Sequence, residues 1–154
     1  MDGRQRVMMR YFTIAELSKS ATAARLGIKN KPDAAARKAL TELTEQVLDP
    51  LRKAWGRPIV VNSGYRCPAL NTAVGGAVNS QHVYGEAADI EDYSRSRAMN
   101  ARLFQKIREL GLPFDQLIYE SPNSAGPDWV HVSYGPRHRR QVLRQTAGGY
   151  RTLK

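Results

Sequence analysis

The stretch Ser80-Gln81-His82-Val83-Tyr84-Gly85-Glu86-Ala87-Ala88-Asp89, followed much later by Asp128-Trp129-Val130-His131, constrains this chain more than any other feature. For these imidazoles and carboxylates to act together, a loop, the strand it enters and a second, distant strand must meet at one point. The chain has only three histidines, and two of them lie in these segments. Two histidines and one carboxylate form a common ligand set for a catalytic zinc, with the fourth position left to water. His82 and Asp89 point at one ion if the loop returns into a strand, and Gly85, lacking a Cβ, permits the turn between them. Ala87 and Ala88 leave space beside the metal and against a core, and His131, inward-facing on its own strand, completes the triad. Asp89 between Ala88 and Ile90 is costly as a buried, unpaired carboxylate, and a metal removes that cost. Asp92 and His138 read as exposed residues in charged sequence and are poor ligand candidates.

A zinc-bound water has a pKa of about 7, so hydrolysis needs a further group to take its proton and pass it to a leaving amine. Asp128 is the nearest carboxylate in sequence. Its offset of three from His131 is odd, so it shares that residue's face only if it sits in the Gly126-Pro127 turn, outside the alternation of the strand. Arg66, at the end of the turn Ser63-Gly64-Tyr65-Arg66, is the candidate for negative charge on the substrate, because a guanidinium grips a carboxylate in a bidentate fork.

The rest of the chain supplies a scaffold. Thr13-Ile14-Ala15-Glu16-Leu17 opens a short helix with Thr13 as N-cap and Glu16 completing a capping box, and Gly27 to Pro32 is a connector. From Asp33, the residues Ala36, Leu40, Leu43, Val47, Leu51 and Trp55 form one face of an amphipathic helix, which Pro50 kinks or divides. Gly56 ends it. Strands are expected at 58–62, 86–91, 116–119 and 129–133. One helical turn is expected at Pro68–Thr72 inside a long, functional loop. Ser96 caps a further helix with Met99, Leu103, Ile107 and Leu110 on its buried side and Gly111 as its stop. The order helix, strand, loop, strand, helix, strand, strand predicts an α+β fold with helices packed on a small, mostly antiparallel sheet. Residues 1–10 read as a loosely ordered lead, and 11–154 as one domain with a basic C-terminal segment.

At 154 residues the chain suits a single core. No apolar run approaches the ~20 residues that span a bilayer, and Met1-Asp2-Gly3-Arg4-Gln5-Arg6 does not open a secretory signal. The single cysteine, Cys67, excludes an intrachain disulfide and reads as a buried or half-buried thiol in a loop. The net charge of +10, dense over Arg137-His138-Arg139-Arg140-Gln141-Val142-Leu143-Arg144, points to a polyanion as partner. No zinc-finger, RNP or basic-zipper pattern accompanies it, so nucleic acid is not the expected partner.

Ser80-x-His82-x-x-Gly85-x-Ala87-x-Asp89 with Asp128-x-x-His131 resembles the zinc D-Ala-D-Ala carboxypeptidases, peptidase family M15, and above all its small single-domain phage and prophage members. The resemblance runs from about Tyr11 to Ser133 and includes Phe12-Thr13-Ile14-Ala15-Glu16-Leu17 and Ser63-Gly64-Tyr65-Arg66. It implies the α+β fold shared with Hedgehog signalling domains and the D,D-dipeptidases. It also implies one zinc on His82, Asp89 and His131, Asp128 as general acid/base, Arg66 at the transition state or substrate, and Ser80 shaping the substrate site. The implied activity is hydrolysis of an amide bond in the peptidoglycan stem peptide or crossbridge, as carboxypeptidase or endopeptidase. A non-catalytic zinc-containing binding module of the same fold is the alternative. The expected setting is that of an endolysin, cytoplasmic until released and then acting at the cell wall, where the basic surface would meet anionic wall polymers.

Overall fold

Helix starts follow the local chemistry of their caps. In the computed structural model, which describes residues 9–154, the Thr13 hydroxyl accepts from the Glu16 N–H at 3.0 Å and opens α1 (Ile14–Ser18). The expected lead is therefore seen only from Met9, since residues 1–8 lie outside the described residues. A second helix, α2 (Ala21–Leu26), is capped by Ser20 and closed by Gly27 at φ +70°. The sequence reading had one short helix here.

The long amphipathic stretch is divided, as Pro50 requires. Asp33 caps α3 (Ala34–Leu43), a π-helical turn follows over Thr44–Leu48, and α4 (Asp49–Trp55) begins with Pro50 in its first turn. Proline has no N–H to donate and its ring crowds the preceding turn, so the wide turn accommodates it without breaking the helical path. The buried face is the expected one, with Ala36, Leu40, Leu43, Val47 and Leu51 joined by Leu48, while Trp55 is half-buried against the same core. Gly56 ends the helix at φ +76°.

Among the described residues, six strands form one sheet in the order β1-β2-β4-β3-β5-β6. They are β1 (Ile59–Ser63), β2 (Ala87–Asp92), β3 (Gln116–Glu120), β4 (Trp129–Ser133), β5 (Gln141–Thr146) and β6 (Gly149–Thr152). All neighbours are antiparallel except β3 and β5. The α+β class with a mostly antiparallel sheet is thus as expected. Ala88, Ile90, Leu117, Val130 and Val132 face the helical layer and form the core with Leu17, Leu103 and Ile107. Strand alternation sends Asp89 and His131 to the opposite face.

Three details correct the sequence reading. Cap Ser96 and stop Gly111 (φ +63°) bound α6 (Arg97–Glu109) as expected, but its buried side is Asn100, Leu103, Phe104 and Ile107, whereas Leu110 is exposed. The basic C-terminal segment, to which the sequence reading assigned no strand, carries the hairpin β5–β6 over 141–152. Asp92, read as exposed, is buried. It accepts from Trp55 Nε1 at 2.8 Å, from Arg57 Nε and Nη2 at 2.7 and 2.9 Å, and from the Ser94 hydroxyl at 2.6 Å.

Burial opposes the ionised form of Asp92, but hydrogen bonds from Arg57, Ser94 and Trp55 outweigh it and hold the carboxyl at about 2. The folded pKa lies below the ordinary value of about 3.9. The stabilisation, on the order of 2 kcal/mol, is therefore complete above that value and lost as pH falls through about 2. Denaturant unfolding between pH 5 and 2 should show a shallower loss of stability for Asp92→Asn than for the wild type. An identical slope would contradict the assignment.

Candidate metal centre

The metal-side face of the sheet and the loop after α5 (Pro68–Ala73) meet over β2 and β4. Ser80 opens a 3-10 turn over Gln81–Tyr84, its hydroxyl accepting from the His82 N–H at 3.2 Å, and Gly85 closes it at φ +74°. A Cβ on Gly85 would stand 2.5 Å from the Ala36 carbonyl oxygen, so both the turn and its packing on α3 demand glycine. Buried Gln81 anchors the turn from below, donating to Asp115 at 2.9 Å.

This turn presents the buried His82 ring to Asp89. His82 Nδ1 lies 2.7 Å from the Gly64 carbonyl oxygen, which can only accept. A proton therefore sits on Nδ1, and in the neutral ring the lone pair of Nε2 faces the Asp89 carboxylate at 3.3 Å. On the facing strand His131, paired in register with Asp89, brings Nδ1 to 3.0 Å from the same oxygen, Oδ1. The two rings stand edge to face, 5.2 Å apart between centroids. One donor atom from each of the three residues lies within 4.8 Å of the others. A lone pair set against a carboxylate is repulsive unless a positive charge lies between them, so this donor set fits a cation. Burial disfavours ionised Asp89, but the two imidazoles outweigh it and hold its carboxyl far below the ordinary carboxylate range. All three expected metal ligands are thus brought together.

Arg66 reaches the same cleft. Its Nε donates to the Ser63 hydroxyl at 3.2 Å and Nη1 to Asn71 Oδ1 at 3.0 Å. Its backbone N–H donates to the His82 carbonyl, locking the arginine to the metal turn. Gly76 allows this close packing, because a Cβ there would lie 2.0 Å from Asn71 Oδ1 and 2.7 Å from Arg66 Nη1. Burial lowers the guanidinium's pKa, and nearby Asp89 partly restores it. Ser80 also lines the cleft while capping the turn.

The structure does not bring Asp128 to this site. Asp128 does sit in the bend between Pro127 and β4, outside the strand, with its N–H donating to the Glu120 carbonyl at 3.0 Å. Its side chain nevertheless does not line the cleft, and the half-exposed carboxylate lies 3.7 Å from Arg97 Nη2. The carboxylate that enters the cleft belongs to Glu120, which the sequence reading passed over. Glu120 pairs in register with Trp129, sits two residues beyond Ile118 on the face of His131, and is buried. Its carboxylate makes no hydrogen bond among the described residues. Burial raises its pKa, a shift that His131 opposes and Asp89 reinforces. A strand drawn one residue past Tyr119 would have found it, since Glu120 then shares the face of Ile118.

The cleft, about 510 Å³, is completed by Arg137, Arg139, Leu143, Gln145 and Tyr150. Arg139 is held by Asp115 through Nε and Nη2, each at 2.8 Å, so Asp115 couples the C-terminal segment to the metal turn through Gln81. His138 is exposed, as expected, with its ring against Tyr134.

Comparison with known proteins agrees with this geometry. The family model for Peptidase M15 matches residues 10–133. The zinc D-Ala-D-Ala carboxypeptidase of Streptomyces albus G is 42% identical over 80 residues, covering 51% of this chain. That alignment spans only 30% of the Streptomyces protein.

Proposed function

The chain belongs to the M15 peptidase family, and from that premise we propose that it is a zinc-dependent peptidase hydrolysing an amide bond in the peptide part of peptidoglycan. The observation that carries this reading is the convergence of His82 Nε2, Asp89 Oδ1 and His131 Nδ1 in an open cleft that also holds Glu120 and Arg66. His82, Asp89 and His131 hold the ion, and the bond from His82 Nδ1–H to the Gly64 carbonyl fixes the ring for it. When bound, zinc polarises the scissile carbonyl and makes water acidic enough to be deprotonated near neutrality.

The remaining work falls to side chains. Glu120 takes the water's proton at its carboxylate and later gives it to the leaving amine, a role its raised pKa suits. Asp128, the sequence-based candidate, is paired with Arg97 and does not line this cleft. Arg66, already oriented by Ser63 and Asn71, offsets negative charge on the substrate. Ser80 keeps His82 in place through its cap and borders the bound peptide. The place of action on this reading is the cell wall, in the manner of an endolysin, with the chain's net charge of +10 favouring anionic wall polymers.

Digestion of purified peptidoglycan, followed by mass spectrometry of the fragments, tests the reading. Defined peptide fragments should appear with the zinc-loaded protein and vanish when a chelator is added. Chelator-insensitive release, or no release by protein shown to carry one zinc per chain, would refute it.

A further inference from the structure

The hairpin β5–β6 lies beyond residues 10–133 that match the family, yet it builds one wall of the metal cleft. Strand register fixes the order of side chains across the sheet face. Asp89 pairs with His131, His131 with Ile118, and Ile118 with Leu143. In the adjacent row, Trp129 pairs with Glu120, and the β3–β5 register continued by one residue sets Glu120 level with Gln145. Gln145 in turn pairs with Tyr150. Arg66 stands on the β1 side of the metal row, bonded to Ser63, which pairs with Asp89. Tyr150 stands on the far side.

Tyr150 is 55% exposed and lines the cleft, and its hydroxyl makes no hydrogen bond among the described residues. The register that sets Gln145 level with Glu120 puts Tyr150 on the same face. Gln145 is held by its own bond to the Ser121 N–H at 2.7 Å and is part of the wall's frame. From β2 to β6 there are four strand spacings of ~4.8 Å, roughly 19 Å in all. An extended peptide advances ~3.3 Å per residue, so that width accommodates about six residues.

We propose, resting on the peptidase reading above, that the β5–β6 hairpin makes this cleft an extended peptide site crossing the strands from Arg66 to Tyr150. Tyr150 donates its hydroxyl to the substrate backbone on the side of the metal away from Arg66. The substrate is then a peptide reaching several residues to both sides of the scissile bond, such as two crosslinked stems, rather than a terminal dipeptide.

The test uses a purified crosslinked muropeptide dimer and D-alanyl-D-alanine as probes. Binding is measured on chelator-treated protein, where hydrolysis cannot interfere, and followed by the fluorescence of Trp129 in the cleft; steady-state kinetics are measured on the zinc-loaded protein. The dimer should bind at least about tenfold more tightly than the dipeptide. Tyr150→Phe should weaken dimer binding about fivefold, the effect of one lost hydrogen bond, and leave the dipeptide unaffected. Tyr150→Ala should weaken it further, and in the loaded enzyme both variants should raise KM for the dimer with kcat little changed. Equal affinity for the two probes, or dimer binding indifferent to both substitutions, overturns the proposal. Hydrolysis of the dimer unaffected by Tyr150→Ala would sink the hairpin's role and spare the peptidase reading. Tyr150-dependent binding without hydrolysis by the zinc-loaded protein would do the reverse.

Discussion

Glu120→Gln is expected to lower turnover of peptidoglycan peptides by a factor of ~10²–10⁴, the usual contribution of a positioned general base, while zinc stays bound. The substitution keeps the shape of the side chain and removes only its ability to accept and return a proton. Glu120 takes no part in the donor triangle of His82, Asp89 and His131, so the metal content should be that of the wild type. Asp128→Ala is the companion measurement. Its carboxylate lies 3.7 Å from Arg97 Nη2 and outside the cleft lining, and its loss should leave kcat close to wild type. If Asp128→Ala abolished turnover and Glu120→Gln did not, the proton carrier would be Asp128, and its side chain would have to leave Arg97 and enter the cleft during catalysis.

The second large effect concerns the metal itself. Asp89 Oδ1 is the shared neighbour of both imidazoles, 3.0 Å from His131 Nδ1 and 3.3 Å from His82 Nε2. Asp89→Asn keeps the volume but removes the negative charge that gathers the site. Loss of an outer-shell partner alone costs ~10–100-fold in metal affinity, so loss of this direct ligand should cost at least about 100-fold. Competition with a chromogenic chelator would measure it. Activity should fall in parallel and return in part at high zinc concentration. Wild-type zinc affinity in Asp89→Asn would remove the carboxylate from the ligand set. His131→Ala should lose metal and activity together for the same reason.

These two experiments separate what was legible in the chain from what was not. The metal donors could be read from the sequence because their identity carries the chemistry. Two of three histidines sit in strand-forming or turn-forming contexts, and Asp89 is flanked by Ala88 and Ile90 in a way only a buried strand explains. The helix caps at Thr13 and Ser96 and the break at Pro50 were legible because each is a local effect within one turn. The burial of Asp92 was not, since its partners Trp55 and Arg57 are far off in sequence and only the fold sets them beside it.

The hairpin β5–β6 escaped for a related reason. Its strands carry Arg144 and Arg151 directly across from each other and show no clean apolar alternation. What holds it is tertiary: the Arg139–Asp115 pair, Arg144 stacked 4.9 Å above the Tyr119 ring, and Arg140 5.0 Å above Phe114. Arginine stems and guanidinium faces cover aromatic surface while reading as polar tail in the sequence.

By itself, then, the sequence determined which residues can hold the ion, because ligand chemistry belongs to side chains. Only the tertiary structure decided which carboxylate stands beside that ion. The register of β4 on β3 pairs Ile118 with His131 and Glu120 with Trp129. With a two-residue side-chain period, that register sets Glu120 on the face of His131, while the bend before β4 leaves Asp128 beside Arg97.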